Sequence, residues 1–173
     1  MSISPVRLNH AVLFVSDVDR AVAFYRDVLG MEVVVEEPRA RAAFLRLPRS
    51  SNHHDLGLFG IGPAPHPRRG SAIGLYHLAW QLDTIDELAE ARGILLEHSA
   101  YLGESSHGAT KSLYAQDPDG NEFELMWMLP HDAWGDFASS ATVEHLDLAD
   151  EVRRWTGRHT STELTPRLGQ EAT

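Results

Sequence analysis

Two stretches of this chain are written to one plan, and any fold for it must accommodate both. Val6 to Val15 and Ile73 to Leu82 are β-rich apolar runs, each with a histidine near its middle, His10 and His77. Nine residues after each histidine comes an aspartate, Asp19 or Asp86, and Val18-Asp19 matches Ile85-Asp86 at the start of a predicted helix. A two-copy repeat excludes a solenoid, which needs at least three units to bury a continuous core. Two related halves can instead pair their sheets around a common cleft.

Each half reads as βαβββ. In the first, Ser16 or Asp17 caps a helix whose Val18, Ala21, Val22, Phe24, Tyr25, Val28 and Leu29 recur at helical spacing, and Gly30 ends it. Strands are predicted over Met31 to Glu36, Arg41 to Leu47 and His54 to Gly60, with a turn at Pro38 and Arg39. The proline-rich run from Gly62 to Gly70 is neither helix nor central strand and marks a boundary. In the second half a helix is predicted from Thr84 to Arg92, ended by Gly93, with strands near Ile94 to His98, Lys111 to Ala115 and Asn121 to Met128. Past Pro130 the pattern changes. A helix over Thr142 to Trp155, with Leu146, Ala149, Val152 and Trp155 at three-residue steps, is expected to pack on the core or on a second subunit, with Trp134 anchoring its approach. Thr160 to Thr173 is expected to be a mobile end.

The last two strands of the second half flank Asp117-Pro118-Asp119-Gly120-Asn121. This is dense turn chemistry: Pro118 presets φ, Gly120 accepts positive φ, and the Asp and Asn side chains bond nearby backbone. In the strand that follows, Glu122, Glu124 and Met126 share one face, and Phe123, Leu125 and Trp127 the other. A carboxylate in so apolar a strand needs a partner.

The nature of that partner is narrowed by composition. The chain has no cysteine, so a metal here is held by nitrogen and oxygen, and its ten histidines become the informative count. A net charge of −10 argues against nucleic acid or an anionic membrane. No run has the length of a membrane span, and the N-terminus lacks a basic start and an apolar signal core, so a cytoplasmic protein is expected. With 43% hydrophobic and 23% charged residues, 173 residues suffice for one domain, or for two small modules sharing a core.

A lone histidine is more often a satisfied core residue than a ligand. Matched positions in two copies, with a carboxylate behind the second-copy turn, reverse that preference. His10, His77 and Glu124 would give two imidazoles and one carboxylate with coordination positions left open, which suits ferrous iron.

Leu8-Asn9-His10-Ala11-Val12, Asp19 to Tyr25, Leu29-Gly30-Met31, Tyr76-His77-Leu78-Ala79, Ser112-Leu113-Tyr114 and Asp117 to Glu124 together resemble the vicinal oxygen chelate superfamily, over nearly the whole chain to Pro130. That superfamily includes glyoxalase I, fosfomycin-resistance proteins, bleomycin-binding proteins and type I extradiol dioxygenases. The resemblance implies an α+β fold of two βαβββ modules, about 6–61 and 73–128, whose curved mixed sheets pair around a metal cleft. The domain would cover 1–130, and 131–173 would be a C-terminal extension.

Glyoxalase I and its isomerase relatives place a fourth ligand, typically glutamate, on the last strand of the first module. Here that strand reads His54-Asp55-Leu56-Gly57-Leu58-Phe59. Extradiol dioxygenases are more similar, with a non-ligand catalytic histidine often followed by aspartate, as in His54-Asp55. The long connection to His77 leaves His53 and His66 as other equivalents. His107-Gly108-Ala109-Thr110 and the downstream Tyr114 resemble that family's further site residues, although the spacer is shorter.

The implied protein is therefore an iron(II) enzyme, with manganese(II) the other ion such a set takes. It would cleave a small aromatic diol with O2 in aromatic catabolism, as a homodimer or higher homo-oligomer. His54 would be the acid-base, and Tyr114 and His107 would bond substrate oxygens. Phe59, Trp80 and Trp127 are either pocket walls or core, core being favoured for each singly. The alternatives are a glyoxalase- or fosfomycin-resistance-type isomerase or transferase, and a metal-free drug-binding protein.

Overall fold

A computed structural model describes residues 3–65 and 73–160. They fall into two compact units, one ending at Pro65 and one containing residues 73–160. Unit 1 comprises β1 (Ala11–Val15), α1 (Val18–Leu29), β2 (Glu32–Glu37), β3 (Ala42–Arg46) and β4 (Leu56–Gly60). Unit 2 comprises β5 (Leu78–Leu82), α2 (Ile85–Glu97), β6 (Tyr101–Ser106), β7 (Thr110–Gln116) and β8 (Glu122–Met128), then two short 3-10 turns and α3 (Leu148–Trp155). The repeat is βαβββ in both.

The duplication extends to register. The sheets run β1-β4-β3-β2 and β5-β8-β7-β6, and in each the first pair is parallel and the others antiparallel. Even the irregularities match: β2 slips between Val33 and Val35, and β6 between Tyr101 and Gly103. Each helix covers one face of its own sheet. Leu13, Val15, Ala43, Leu45, Leu56 and Leu58 are buried in unit 1, as are Leu113, Ala115, Phe123, Leu125 and Trp127 in unit 2. Each large apolar side chain so buried contributes about 1.5–3 kcal/mol. Among the described residues, the opposite face of each sheet carries no helix of its own unit.

Asp17 caps α1 by accepting the Arg20 N–H at 3.0 Å, and Gly30 closes it at φ 64°. Thr84 caps α2 through the Glu87 N–H at 3.2 Å, while the Glu87 carboxylate reaches back to the Asp83 N–H at 2.9 Å.

The expected helix end at Gly93 is wrong: α2 runs through it to Glu97, and the strand expected over Ile94 to His98 belongs to this helix. Leu95 is completely buried on the face that carries Ile85 and Leu88. Its burial outweighs the roughly 1 kcal/mol that glycine costs inside a helix. The turn falls instead at Ser99, φ 54°.

The expected runs Val6–Val15 and Ile73–Leu82 also shorten. A strand needs a ladder partner, and β4 and β8 first pair with Ala11 and Leu78, so His10 and His77 each stand immediately before their strand. The third helix starts at Leu148 rather than Thr142, because Glu144 is extended and pairs with Ser106. Leu146 is buried, but ahead of the helix. Thr160, expected to open a mobile end, is buried, with its N–H on the Asp83 carbonyl at 2.8 Å. Residues 161–173 and His66 lie outside the described residues. No helix among the described residues is long and apolar enough to cross a membrane.

Candidate active site

In unit 2 the Asp117 turn sets the register. One Asp117 carboxylate oxygen accepts the Asp119 and Asn121 N–H groups and the other the Asn121 side-chain amide, all at 2.9 Å, with Gly120 at φ 87°. Tyr114 is thereby paired with Glu124, and Ala79 with Glu124 on its other side. Paired residues share a face, so Glu124 and Tyr114 project from the side opposite α2. His77, two residues before Ala79, joins them: its Nε2 is 3.1 Å from Glu124 Oε2.

That pair fits a metal ion. Two donors each about 2.1 Å from one ion at right angles stand about 3 Å apart. His77 Nδ1, the ring nitrogen away from Glu124, is buried without a hydrogen-bond partner, so the fit to an ion rests on Nε2 and the carboxylate alone. Among the described residues, no group of three or more His, Asp or Glu side chains gathers that could hold a metal ion.

Beside this pair lies a second polar cluster. Tyr114 Oη is 2.6 Å from His107 Nε2, and Ser105 Oγ is 3.0 Å from that nitrogen and donates to Tyr114 Oη at 3.3 Å. His107 sits in the β6–β7 turn, with Gly108 at φ 77°. Ser105 was not legible from the sequence, because β6 was placed too early. Its signal is the alternation that puts Gly103 and Ser105 opposite Tyr114 and Ser112.

Unit 1 holds the other predicted histidines. His10 and His54 have ring centroids 4.6 Å apart, Phe44 lies 5.0 Å from His54, and the Nδ1 atoms of His53 and His54 are 3.0 Å apart. His10 Nδ1 is 3.0 Å from Asn9 Oδ1, an acceptor, which puts the ring proton on Nδ1 and leaves Nε2 as the lone-pair donor. Burial, then His10 and then His53, holds the His54 imidazole below its ordinary pKa against the opposing pull of Asp55. Asp55 itself faces away from chemistry. Its carboxylate takes the Leu47 N–H, the Ser50 hydroxyl and the Asn52 amide, clamping the loop that carries His54.

Of the aromatic candidates, Trp127 is core: fully buried, with Nε1 on the Asp83 carbonyl and Trp155 alongside. Trp80 shares that helix-side face through its pairing with Leu125. Phe59 pairs with Phe14 on the open face of unit 1, where Phe14 is 68% exposed and Phe44 meets Phe59 edge-on.

The model of the Glyoxalase/Bleomycin resistance protein/Dioxygenase superfamily matches residues 7–125. The chain belongs to that superfamily. Within it, the chain is 37% identical over 130 residues to biphenyl-2,3-diol 1,2-dioxygenase 3 of Rhodococcus globerulus, covering 72% of this chain and 64% of that protein. It is 30% identical to the catechol-2,3-dioxygenase of Bacillus subtilis, over 73% of this chain and 43% of that protein. The chain thus spans less than two thirds of either. Among solved structures, lactoylglutathione lyase from Agrobacterium tumefaciens aligns with a TM-score of 0.54 at 27% identity, over 71% of this chain and 94% of that one. The two four-stranded βαβββ sheets are those of this superfamily, the vicinal oxygen chelate fold.

Proposed function

We infer that this protein is an iron(II)-dependent extradiol dioxygenase, cleaving the ring of a small catecholic substrate beside its two hydroxyls. In unit 2 the proposed ligands of its ion are His77 and Glu124; in unit 1 the proposed ligand residue is His10, whose Nε2 carries the lone pair. The observation that carries the reading is a register equivalence. Gly57 occupies in unit 1 the position of Glu124 in unit 2: Val12 pairs with Gly57 as Ala79 pairs with Glu124. The strand that would supply a fourth, carboxylate ligand carries no side chain at that point, which leaves more than one coordination position for substrate and oxygen. The two dioxygenase relatives support the same reading, whereas a lyase-type site with a fourth carboxylate loses its donor here.

Bound iron(II) supplies the chemistry that joins diol and O2. The chain's own residues do the rest. In the tautomer that donates from Nδ1 to His53, His54 would have the Nε2 lone pair with which to take a proton from a substrate hydroxyl and return it later. Tyr114, set by its pairing with Glu124, would accept a hydrogen bond from a substrate hydroxyl. Phe44 and Phe59 offer an apolar wall for an aromatic ring.

The test is anaerobic iron loading followed by oxygen uptake on a panel of catechols. Stoichiometric uptake with a yellow ring-opened product is expected. No uptake from protein that has bound iron would overturn the reading.

A further inference from the structure

The chain beyond Leu129 lies outside the stretch that matches the superfamily, yet it reaches the His107–Tyr114 pair. β6 is an edge strand of its sheet, with backbone groups open to a partner. Ser106 and Glu144 supply one another, exchanging both backbone N–H···O bonds at 2.9 Å. Two residues before Glu144, the Thr142 carbonyl oxygen stands 2.8 Å from His107 Nδ1.

A carbonyl oxygen only accepts, so Nδ1 carries the ring proton, and the neutral imidazole's lone pair is on Nε2. Nε2 is where Tyr114 Oη approaches to 2.6 Å. The tyrosine hydroxyl therefore donates to His107, and Ser105 takes one of its lone pairs. One lone pair is left to face outward. A free imidazole in water favours the opposite tautomer, with the proton on Nε2, which would turn the Tyr114 hydroxyl away from His107. The direction of the Tyr114–His107 hydrogen bond is thus set by a backbone carbonyl in the C-terminal segment.

That carbonyl is held firmly. Phe137 lies over Gly108 so closely that a Cβ there would come within 2.4 Å of its ring. The buried Lys111 binds Glu151 of α3 at 3.0 Å and the Ser106 hydroxyl at 2.8 Å, tying helix and β6 edge together.

We propose that the C-terminal segment is a positioning part of the active site: through the Thr142 carbonyl it fixes the tautomer of His107, and thereby makes Tyr114 a hydrogen-bond acceptor toward substrate. The role toward substrate rests on the ring-cleavage reading; the tautomer does not.

The experiment is 15N NMR of the histidine rings in the full chain, with His107 assigned by its loss in His107→Gln. Wild-type His107 is expected as the Nδ1–H form, and an Nε2–H form overturns the proposal. Glu144→Pro removes the N–H that bonds Ser106 and should release the Thr142 carbonyl. His107 then shifts toward Nε2–H, and kcat falls about tenfold with KM changed by less than about twofold. Glu90→Ala, on the exposed side of α2, should change neither. A lost Nδ1–H form with kcat intact would make the segment merely structural and overturn the positioning role. If Glu144→Pro does not fold, Phe137→Ala replaces it with the same two readouts. If no diol is turned over, the tautomer shift still decides: loss of the Nδ1–H form in the variant supports the proposal, and its retention overturns it.

Discussion

Tyr114 and Glu124 face each other as direct cross-strand partners on β7 and β8, with the turn at Asp117 holding the two strands in that register. A slip of one residue between the two strands would carry one of these side chains to the face covered by α2 and leave the other behind. The candidate site therefore depends on a turn several residues from any chemistry.

Asp117→Ala should lower the unfolding free energy by about 1–3 kcal/mol, because the buried carboxylate satisfies three N–H donors. Urea unfolding measures it. A change below about 0.5 kcal/mol would show that backbone turn geometry suffices without the side chain.

Glu124→Gln removes the anionic donor beside His77. Iron affinity in equilibrium dialysis should fall roughly 100-fold or more, since even groups outside a ligand set cost about 10- to 100-fold. An unchanged affinity would exclude Glu124 as a ligand.

Gly93 sits inside α2 with open space where a Cβ would project. Gly93→Ala should raise stability by about 1 kcal/mol, seen as a higher Tm. A lower Tm would mean that the glycine has a purpose the helix does not reveal.

The Asp86 carboxyl accepts from the Thr156 hydroxyl and the Gly157 N–H, and these bonds, the hydroxyl first, hold it below its usual pKa. A depressed carboxyl contributes stability above its unfolded value of about 3.9, and that contribution is lost as pH falls through the lower folded value. Wild type should thus be more stable than Asp86→Asn near pH 6, and the difference should shrink below about pH 4. A gap that stays constant over that range would mean the carboxylate charge contributes nothing.

The turn and the alternation after it were legible in the sequence: Phe123, Leu125 and Trp127 are buried and Glu124 is on the other face, as a period of two dictates. The matched histidines were legible as well, because a repeat needs no knowledge of contacts. The start of β1 was not. Val6 and Leu8 look like strand residues but are 99% and 81% exposed, for lack of a ladder partner before Ala11. Gly93 misled for the opposite reason, a local stop signal overridden by the burial of Leu95.

By itself, then, the sequence determined the duplication, the two faces of each sheet and the residue types available for chemistry, since these follow from local periodicity and side-chain identity. Only the tertiary structure decided how those residues are used. It gave Gly57 the register of Glu124 and turned Asp55 toward its own loop. It also brought a carbonyl from 35 residues away onto His107. The physical reason is that strand ends, ladder register and imidazole tautomers are each set by a partner group, and the partner's position is a property of the folded chain.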